Sequence, residues 1–450
     1  MVSIFWLRRD LRLSDNHGLF QALKGPYPVL PLFIFDTEIL DLLKNKQDAR
    51  VGFIHRELDL IKRELESVGS SLLVLNGNPT AVWEMLLDQY PIASVYCNHD
   101  YEPYAIDRDN RVGNLLQQRN VTFNTFKDHV IFERLEVAKA DGNPYTVFTP
   151  YGKMWRKKLE SESVLEHGTL VPGALQHFPS EDLMDRFFKT APFSMPTLQD
   201  IGFEASSLPI PEKSVPQSLI RKYGEQRNFP AIPGTSHLGI HFRFGTISIR
   251  EKAKKAMELN DVFLNELIWR DFYAMILSNF PHVARRAFRQ EYDAIAWRNN
   301  EAEFGKWCEG RTGYPIVDAG MRELKATGYM HNRVRMIVAS FLTKHLLIDW
   351  RWGEAWFAEQ LLDFDLSSNS GGWQWAAGCG TDAAPYFRIF NPIEQQKKFD
   401  PDFRYVRKWV PEYGSPAYPM PIVDHKLARE RCLETYKRGL ELGKQGLTSA

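Results

Sequence analysis

Four short apolar runs divide the first hundred residues, at positions 2–6, 29–35, 71–75 and 94–97. Runs of this length fill a parallel sheet that is buried on both faces. Between the second and third, Ile54, Leu58, Ile61, Leu65 and Val68 recur at helical spacing, with Arg56, Lys62, Arg63 and Glu66 elsewhere on the surface. That pattern is one apolar stripe on an amphipathic helix. Strand and helix in alternation predict an α/β domain, a doubly wound sheet with helices on both faces, over residues 1–130.

From 131 to 215 the periodicity dissolves. Pro144, Pro150, Pro172, Pro179, Pro192, Pro196, Pro209 and Pro211 punctuate the stretch. It reads as a long connector with short helices, and connectors of that length are functional or pinned to their neighbours. From 216 to 450 the pattern is helical. Apolar residues keep a helix period over 262–277, 320–327, 333–348 and 354–362, a last helix falls at 424–442, and strand signals are nearly absent. An all-α domain is expected there, without internal repeats.

Composition narrows the function classes. Basic and acidic residues balance at 56 each, so any contact with nucleic acid must come from a local patch. Cys97, Cys308, Cys379 and Cys432 are scattered, which suits a reducing compartment better than a disulfide framework. Arg8, Arg9 and Arg12 interrupt the first apolar run, so it is no signal peptide, and no stretch approaches a membrane span. No His-Glu-x-x-His, Walker loop or Gly-x-Gly-x-x-Gly occurs, so a catalytic metal and the ordinary nucleotide folds are not expected.

The chemistry concentrates in the second half. Gly371, Gly372, Trp373, Gln374 and Trp375 place two indoles beside a glycine pair, and Trp297 and Trp350 lie upstream. Each tryptophan alone is most simply packing; together with the glycines they suit a flat, redox-active ligand. Glu266, Trp269, Arg270 and Tyr273 stand at i, i+3, i+4 and i+7 and share one helix face. That face is either solvated with a salt bridge or one wall of a cavity for a planar polar molecule. Asn332, Arg335 and Met336 share a face in the same way, with Arg333 pointing elsewhere; Arg335 has Asp363 and Asp365 as possible partners. This is either an ordinary helix start with a core methionine or a second wall that reads a base edge. Thr235, Ser236, His237, Leu238 and Gly239 precede helical sequence, as a plain cap or as a phosphate site.

Several long motifs occur in order: Trp6 to Leu13, Asn265 to Tyr273, Thr312 to Ala319, Met330 to Met336, and Gly371 to Pro392. On these the chain resembles the photolyase/cryptochrome flavoproteins, most closely the class I cyclobutane pyrimidine dimer photolyases. The resemblance covers nearly the whole chain. It implies a Rossmann-like amino-terminal domain and an all-α domain holding FAD. Tyr223, Thr235, Ser236, His237, Leu238, Gly239 and Phe263 would hold its phosphates and ribityl region. Asn332, Arg335, Asp363, Asp365 and Asn369 would line its ring system. Gly239 replaces the serine usual in that phosphate loop. Asn369 matches the position facing flavin N5, where plant cryptochromes carry aspartate, and so leans toward repair.

By the same resemblance, Trp373, Trp350 and Trp297 match an electron relay. Glu266, Trp269, Arg270, Tyr273, Asn332, Met336 and Trp375 match the dimer pocket, with Glu266 on the base edge. Arg227, Arg333, Arg388 and Gln395 are candidate DNA-backbone contacts. His331 has no second histidine in register, which disfavours (6-4) chemistry. Arg9, Asp100 and Arg108 resemble antenna positions for a deazaflavin or flavin rather than a folate. The expectation is a cytoplasmic monomer, on the nucleoid when bound to UV-damaged DNA, that repairs pyrimidine dimers with light. The alternative is a cryptochrome-like photoreceptor, against which Asn369, Met336 and Trp375 and the short stretch after the last helix count.

Overall fold

Strands β1 (Val2–Leu7), β2 (Val29–Asp36), β3 (Leu73–Gly77), β4 (Ile92–Asn98) and β5 (Thr122–Phe126) form one five-stranded sheet in the order β3-β2-β1-β4-β5. Every pairing is parallel; Ile4 stands against Leu30 and Val95, and Leu32 against Leu73. The structure, a computed structural model, describes residues 1–166 and 169–448. It divides into two units that interleave along the chain. The first comprises Met1–Val137, Lys153–Ser214 and His237–Glu258, and the second Ala138–Gly152, Val215–Ser236 and Leu259–Ala450.

In the first unit, helices α1 (His17–Lys24), α2 (Ala49–Ser67), α3 (Pro79–Gln89) and α4 (Pro103–Gln118) fall between the strands. Successive side chains of a strand face opposite ways. Val2, Ile4 and Trp6 therefore join Trp83 and Leu86 of α3 and Val112 and Leu116 of α4 in one apolar cluster. The intervening Ser3 and Phe5 are equally buried on the other face. Burial on both faces is what the unbroken apolar runs require. The third run lies two residues later than expected, because Leu73–Gly77 is the stretch that pairs with β2. Strand β5 went unforeseen. It is one edge of the sheet, and its exposed Thr122 and Thr125 and half-buried Asn124 leave no apolar run to detect. The proline-rich stretch also contains a hairpin, Ser163–Glu166 against Thr169–Pro172.

The second unit is helical. Its elements include α5 (Asp261–Asn279), α6 (Pro315–Thr327), α7 (Asn332–Ser340), α8 (Trp350–Gln360), α9 (Leu366–Ala377), α10 (Pro392–Phe399) and α11 (His425–Thr448). Val317, Ile337, Phe341, Trp350, Phe357, Trp373 and Tyr436 belong to one buried core. A single helix was expected over 333–348. Instead α7 ends at Ser340 and a π-turn follows over Phe341–His345, with the Leu346 N–H donating to the Phe341 carbonyl at 3.1 Å. The wider turn carries Lys344 inward, where its ammonium donates to the Ala377 carbonyl at 2.8 Å. An apolar period cannot register an inserted residue or a buried lysine. No described helix is long and apolar enough to cross a membrane.

Candidate active site

Four helices of the second unit wall a cavity of about 440 Å3. Helix α5 is started by Asn260, whose side chain accepts from the Val262 and Phe263 amides at 2.9 and 3.1 Å. Such a cap fixes the helix register. Glu266, Trp269, Arg270 and Tyr273 then all reach the cavity from one face. From α7, capped by the His331 ring, come Asn332, Arg335, Met336 and Ala339. From α9, capped by Asp365, come Ser368, Asn369, Gly372, Trp373 and Trp375. Phe357 of α8 and Leu361, Asp363, Phe364 and Asp365 after it close the ring of walls, with Arg227.

The two polar-aromatic faces are thus brought to one space. Trp269 is held flat by Phe148, with centroids 3.6 Å apart and planes 4° apart. Tyr273 leans on it from the next turn at 5.5 Å. Trp375 has Phe390 at 6.4 Å. Rings fixed this way offer stacking surface without having to order themselves on binding.

The polar groups are equally committed. Arg335 donates through Nε to the Met330 carbonyl at 2.6 Å and through Nη2 to Asp363 at 2.9 Å. The other Asp363 oxygen, Oδ1, is buried and has no partner among the described residues. A buried orphan acceptor in a cavity wants an N–H donor from whatever fills it. Asn369 donates its amide to the carbonyl and carboxylate of Glu354, at 3.1 and 2.9 Å. That leaves the amide oxygen as the acceptor for a ligand. Burial pushes the Glu354 carboxyl up, and the Asn369 hydrogen bond offsets part of the rise. Glu266 is ion-paired with Arg227; burial raises its carboxyl as well, and Arg227 opposes the shift.

Most of the other expected residues, Trp373 apart, lie outside the cavity wall. Trp350 and Trp373 are buried in the same core, with Trp297 packed half-buried against it. The rings touching Trp373 are Phe357 at 5.0 Å and Trp307 at 6.0 Å, and Trp297 meets Tyr436 at 5.8 Å. Tyr223 stands edge-on to Phe263 at 5.1 Å. The Thr235 hydroxyl is 3.1 Å from that of Tyr329. Ser236 closes its segment of the second unit, while His237, Leu238 and Gly239 belong to the first. There His237 has a left-handed φ of 53° and Leu238 precedes the Gly239–Phe244 helix.

Arg333 donates to Asn228 at 2.8 Å and lies 4.4 Å over the ring of Phe399 on α10, the helix that carries Gln395. Arg388 is exposed in the loop before it. In the first unit, Arg9 donates to Asp100 at 3.0 Å and Glu102 at 3.1 Å, just past the carboxyl ends of β1 and β4. Arg108 lies 5.0 Å over Trp6.

Sequence reasoning missed Phe357, Leu361, Phe364 and Ser368 in the wall, Glu354 behind Asn369, and Trp307 beside Trp373. Phe357 and Leu361 stand at i and i+4 after Trp350, a spacing that could have marked a third wall.

Residues 3–170 match the family described as DNA photolyase, and residues 263–416 match the FAD binding domain of DNA photolyase. A deoxyribodipyrimidine photo-lyase of Halobacterium salinarum is 36% identical, over 97% of this chain and 99% of its own. A bacterial class III photolyase from Agrobacterium tumefaciens superposes with a TM-score of 0.83 at 33% identity, covering 98% of each chain. An archaeal photolyase from Sulfolobus tokodaii, solved with two FAD molecules, gives 0.79 at 33% identity, over 97% of this chain and 100% of that one. The parallel sheet, the helical unit with its aromatic-walled cavity, and identity sustained over nearly the full length agree: the chain belongs to the photolyase/cryptochrome family.

Proposed function

We infer that this protein is a deoxyribodipyrimidine photolyase, which uses light to split cyclobutane pyrimidine dimers in DNA. The observation that carries the reading is convergence. Glu266, Trp269, Asn332, Met336 and Trp375, the expected lesion set, face the same cavity as Arg335, Asp363, Asp365 and Asn369, the expected flavin set. The donor set fits FAD, because the orphan Asp363 Oδ1 and the free Asn369 oxygen are acceptors for the N–H groups of a flat heterocycle.

Bound reduced FAD supplies the electron under light, and the chain supplies everything else. Arg335, Asp363, Asp365 and Asn369 hold the ring system, and Tyr223, Phe263 and Thr235 hold the remainder from the same unit. Ser236, His237, Leu238 and Gly239 are assigned to the phosphates. Trp373, Trp350 and Trp297 carry electrons inward, since indole is the most easily oxidised apolar side chain. Photolyases belong to the enzymes that draw their target bases out of the stack. A dimer stacks and pairs poorly, so extruding it costs less than extruding a normal base. Trp269 and Trp375 receive it. Arg227, Arg333, Arg388 and Gln395 engage the sugar-phosphate backbone. Arg9, Asp100 and Arg108 are assigned to an antenna flavin or deazaflavin. The protein acts as a cytoplasmic monomer on damaged nucleoid DNA.

The test is direct. Purified protein should carry flavin and should restore dimer-containing DNA under blue or near-ultraviolet light, and not in the dark. Flavin without repair would mean a photoreceptor instead. Trp269→Ala should weaken dimer binding by about 1–3 kcal/mol, the usual value of one base–aromatic stack, while flavin stays bound. A filter-binding titration with an absorption spectrum of each variant checks both; loss of flavin would reassign Trp269 to the cofactor.

A further inference from the structure

Glu266 and Arg227 form an ion pair on the cavity wall, with side chains 30% and 27% exposed. Both line the cavity, so a base entering it covers what water still reaches. Arg227 has positive company. Arg333 is depressed by burial first and then by Arg227 and Arg388 together, so the three guanidiniums lie within Coulombic reach of one another. One carboxylate faces them from α5. The surplus positive charge suits phosphates, to which guanidinium binds in a two-pronged fashion.

The carboxylate suits the expected ligand less well. The edge of a pyrimidine imide presents a carbonyl acceptor beside an N–H donor. An ionised carboxylate offers acceptors alone and would set its charge against the carbonyl oxygen. A neutral carboxyl group offers one O–H donor and one acceptor, matching that edge atom for atom.

We propose that dimer binding draws one proton from solvent onto Glu266, as Arg227 leaves its carboxylate for a backbone phosphate and the new O–H donates to a pyrimidine carbonyl. The proposal rests on the repair reading above. The step balances: Arg227 keeps its proton, Glu266 gains one, and the negative charge that faced Arg227 is replaced by the phosphate. The O–H then points at the oxygen on which negative charge gathers when the pyrimidine accepts an electron. Arg227 thus becomes a positioning residue that holds Glu266 ionised until DNA arrives.

The surrounding groups permit it. Tyr223, from the helix that precedes Arg227, and Tyr273, two turns along α5, are phenols raised chiefly by burial and stay neutral. Arg270 lies one turn away on α5. From α7 come Arg333, turned toward Asn228, and Arg335, already paired with Asp363. Asp365 caps α9. Arg227 is therefore the cation whose departure alters the charge of Glu266. Desolvation by the incoming bases pushes in the same direction as burial already does.

Calorimetric titration of the flavin-loaded protein with a dimer-containing duplex, in the dark, reads the proton directly. Near neutral pH, in buffers of differing ionisation enthalpy, the binding enthalpy should report uptake of about one proton per complex. Glu266→Gln mimics the neutral acid and should bind the dimer with no uptake. Arg227→Gln should also lose the uptake, because its Glu266 is protonated beforehand, and its salt dependence should fall by about one phosphate contact. Tight binding and repair without proton uptake would overturn the proposal while leaving the photolyase reading intact. Unchanged uptake in Glu266→Gln would do the same. Failure to bind dimer DNA at all would overturn both.

Discussion

Asp128→Asn should destabilise the first unit by about 3–5 kcal/mol, the usual cost of removing one partner from a buried ion pair. Asp128 is 1% exposed, as is Asp15, and Arg12 and Arg250 beside them are 8% and 5% exposed. Arg12 Nη2 donates to both Asp128 oxygens at 2.8 Å, and Arg250 Nη2 donates to one at 2.9 Å. Arg250 Nε also donates to both Asp15 oxygens at 3.1 Å, and the Ser248 hydroxyl donates to Asp15. Two guanidiniums thus face two carboxylates without solvent. Removing one negative charge strands a positive one, and asparagine replaces the second acceptor oxygen, which faces Arg12, with an NH2 donor.

The pH dependence follows from the same geometry. Burial alone would raise the Asp128 carboxyl, but Arg12 and Arg250 outweigh it and hold it far below the ordinary carboxylate range. A carboxyl depressed on folding contributes stability that is present above its unfolded pKa, about 4, and is lost as pH falls below that. Native protein should therefore lose stability progressively below about pH 5, and Asp128→Asn should lose less over the same range because its share is already gone. Urea denaturation at neutral pH and near pH 4 checks the sign. Asp128→Asn combined with Arg250→Met leaves Arg12 and Asp15 balanced, and should recover part of the single-variant loss. A single variant within about 0.5 kcal/mol of native, as for ordinary surface changes, would show that the network is solvated.

That network also shows where local reading of the chain ends. Residues 237–258 fold with the first unit, where Ser248 and Arg250 are fastened to Asp15 and Asp128. No periodicity near position 250 announces a partner more than two hundred residues earlier. The sheet was legible because its three inner strands are largely buried on both faces and the edge strand β3 still begins with the apolar Leu73, Val74 and Leu75; β5, the other edge, alternates polar residues and carries no such run. The cavity walls on α5 and α7 were legible because helical spacing alone aligns Glu266, Trp269, Arg270 and Tyr273, and aligns Asn332, Arg335 and Met336. What stiffens those walls was not legible. Phe148 stacks on Trp269 from the proline-rich stretch, and Glu354 anchors Asn369 from the preceding helix. Both are tertiary contacts between residues that look unremarkable in sequence. The tryptophans could be named, but not their neighbours Trp307 and Tyr436, since position along the chain says nothing about which rings meet.

Gly353→Ala should disturb the cavity through a single methyl group. Gly353 lies on α8 where α9 crosses it, and a β-carbon there would overlap the outer edge of the Trp373 indole and come within 2.6 Å of Leu342. Alanine favours a helix interior over glycine by about 1 kcal/mol. Overpacking a filled core costs about 1–3 kcal/mol, so the collision wins and the variant should be less stable than native. The direction of relief matters more than the size. Trp373 is 2% exposed and bounded by Phe357 at 5.0 Å and Trp307 at 6.0 Å. The open space beside it is the cavity it lines, so the ring should yield in that direction. Flavin occupancy and light-driven flavin reduction should then both fall, by more than the loss of stability alone would cause. Gly353→Ala with Trp373→Phe separates the two effects. Phenylalanine lacks the colliding edge, so thermal stability and flavin content should recover. It is also much harder to oxidise than indole, so photoreduction should not recover. A Gly353→Ala protein with native melting temperature and native photoreduction would mean that α8 and α9 can part without cost, and that Trp373 is not held where the relay needs it.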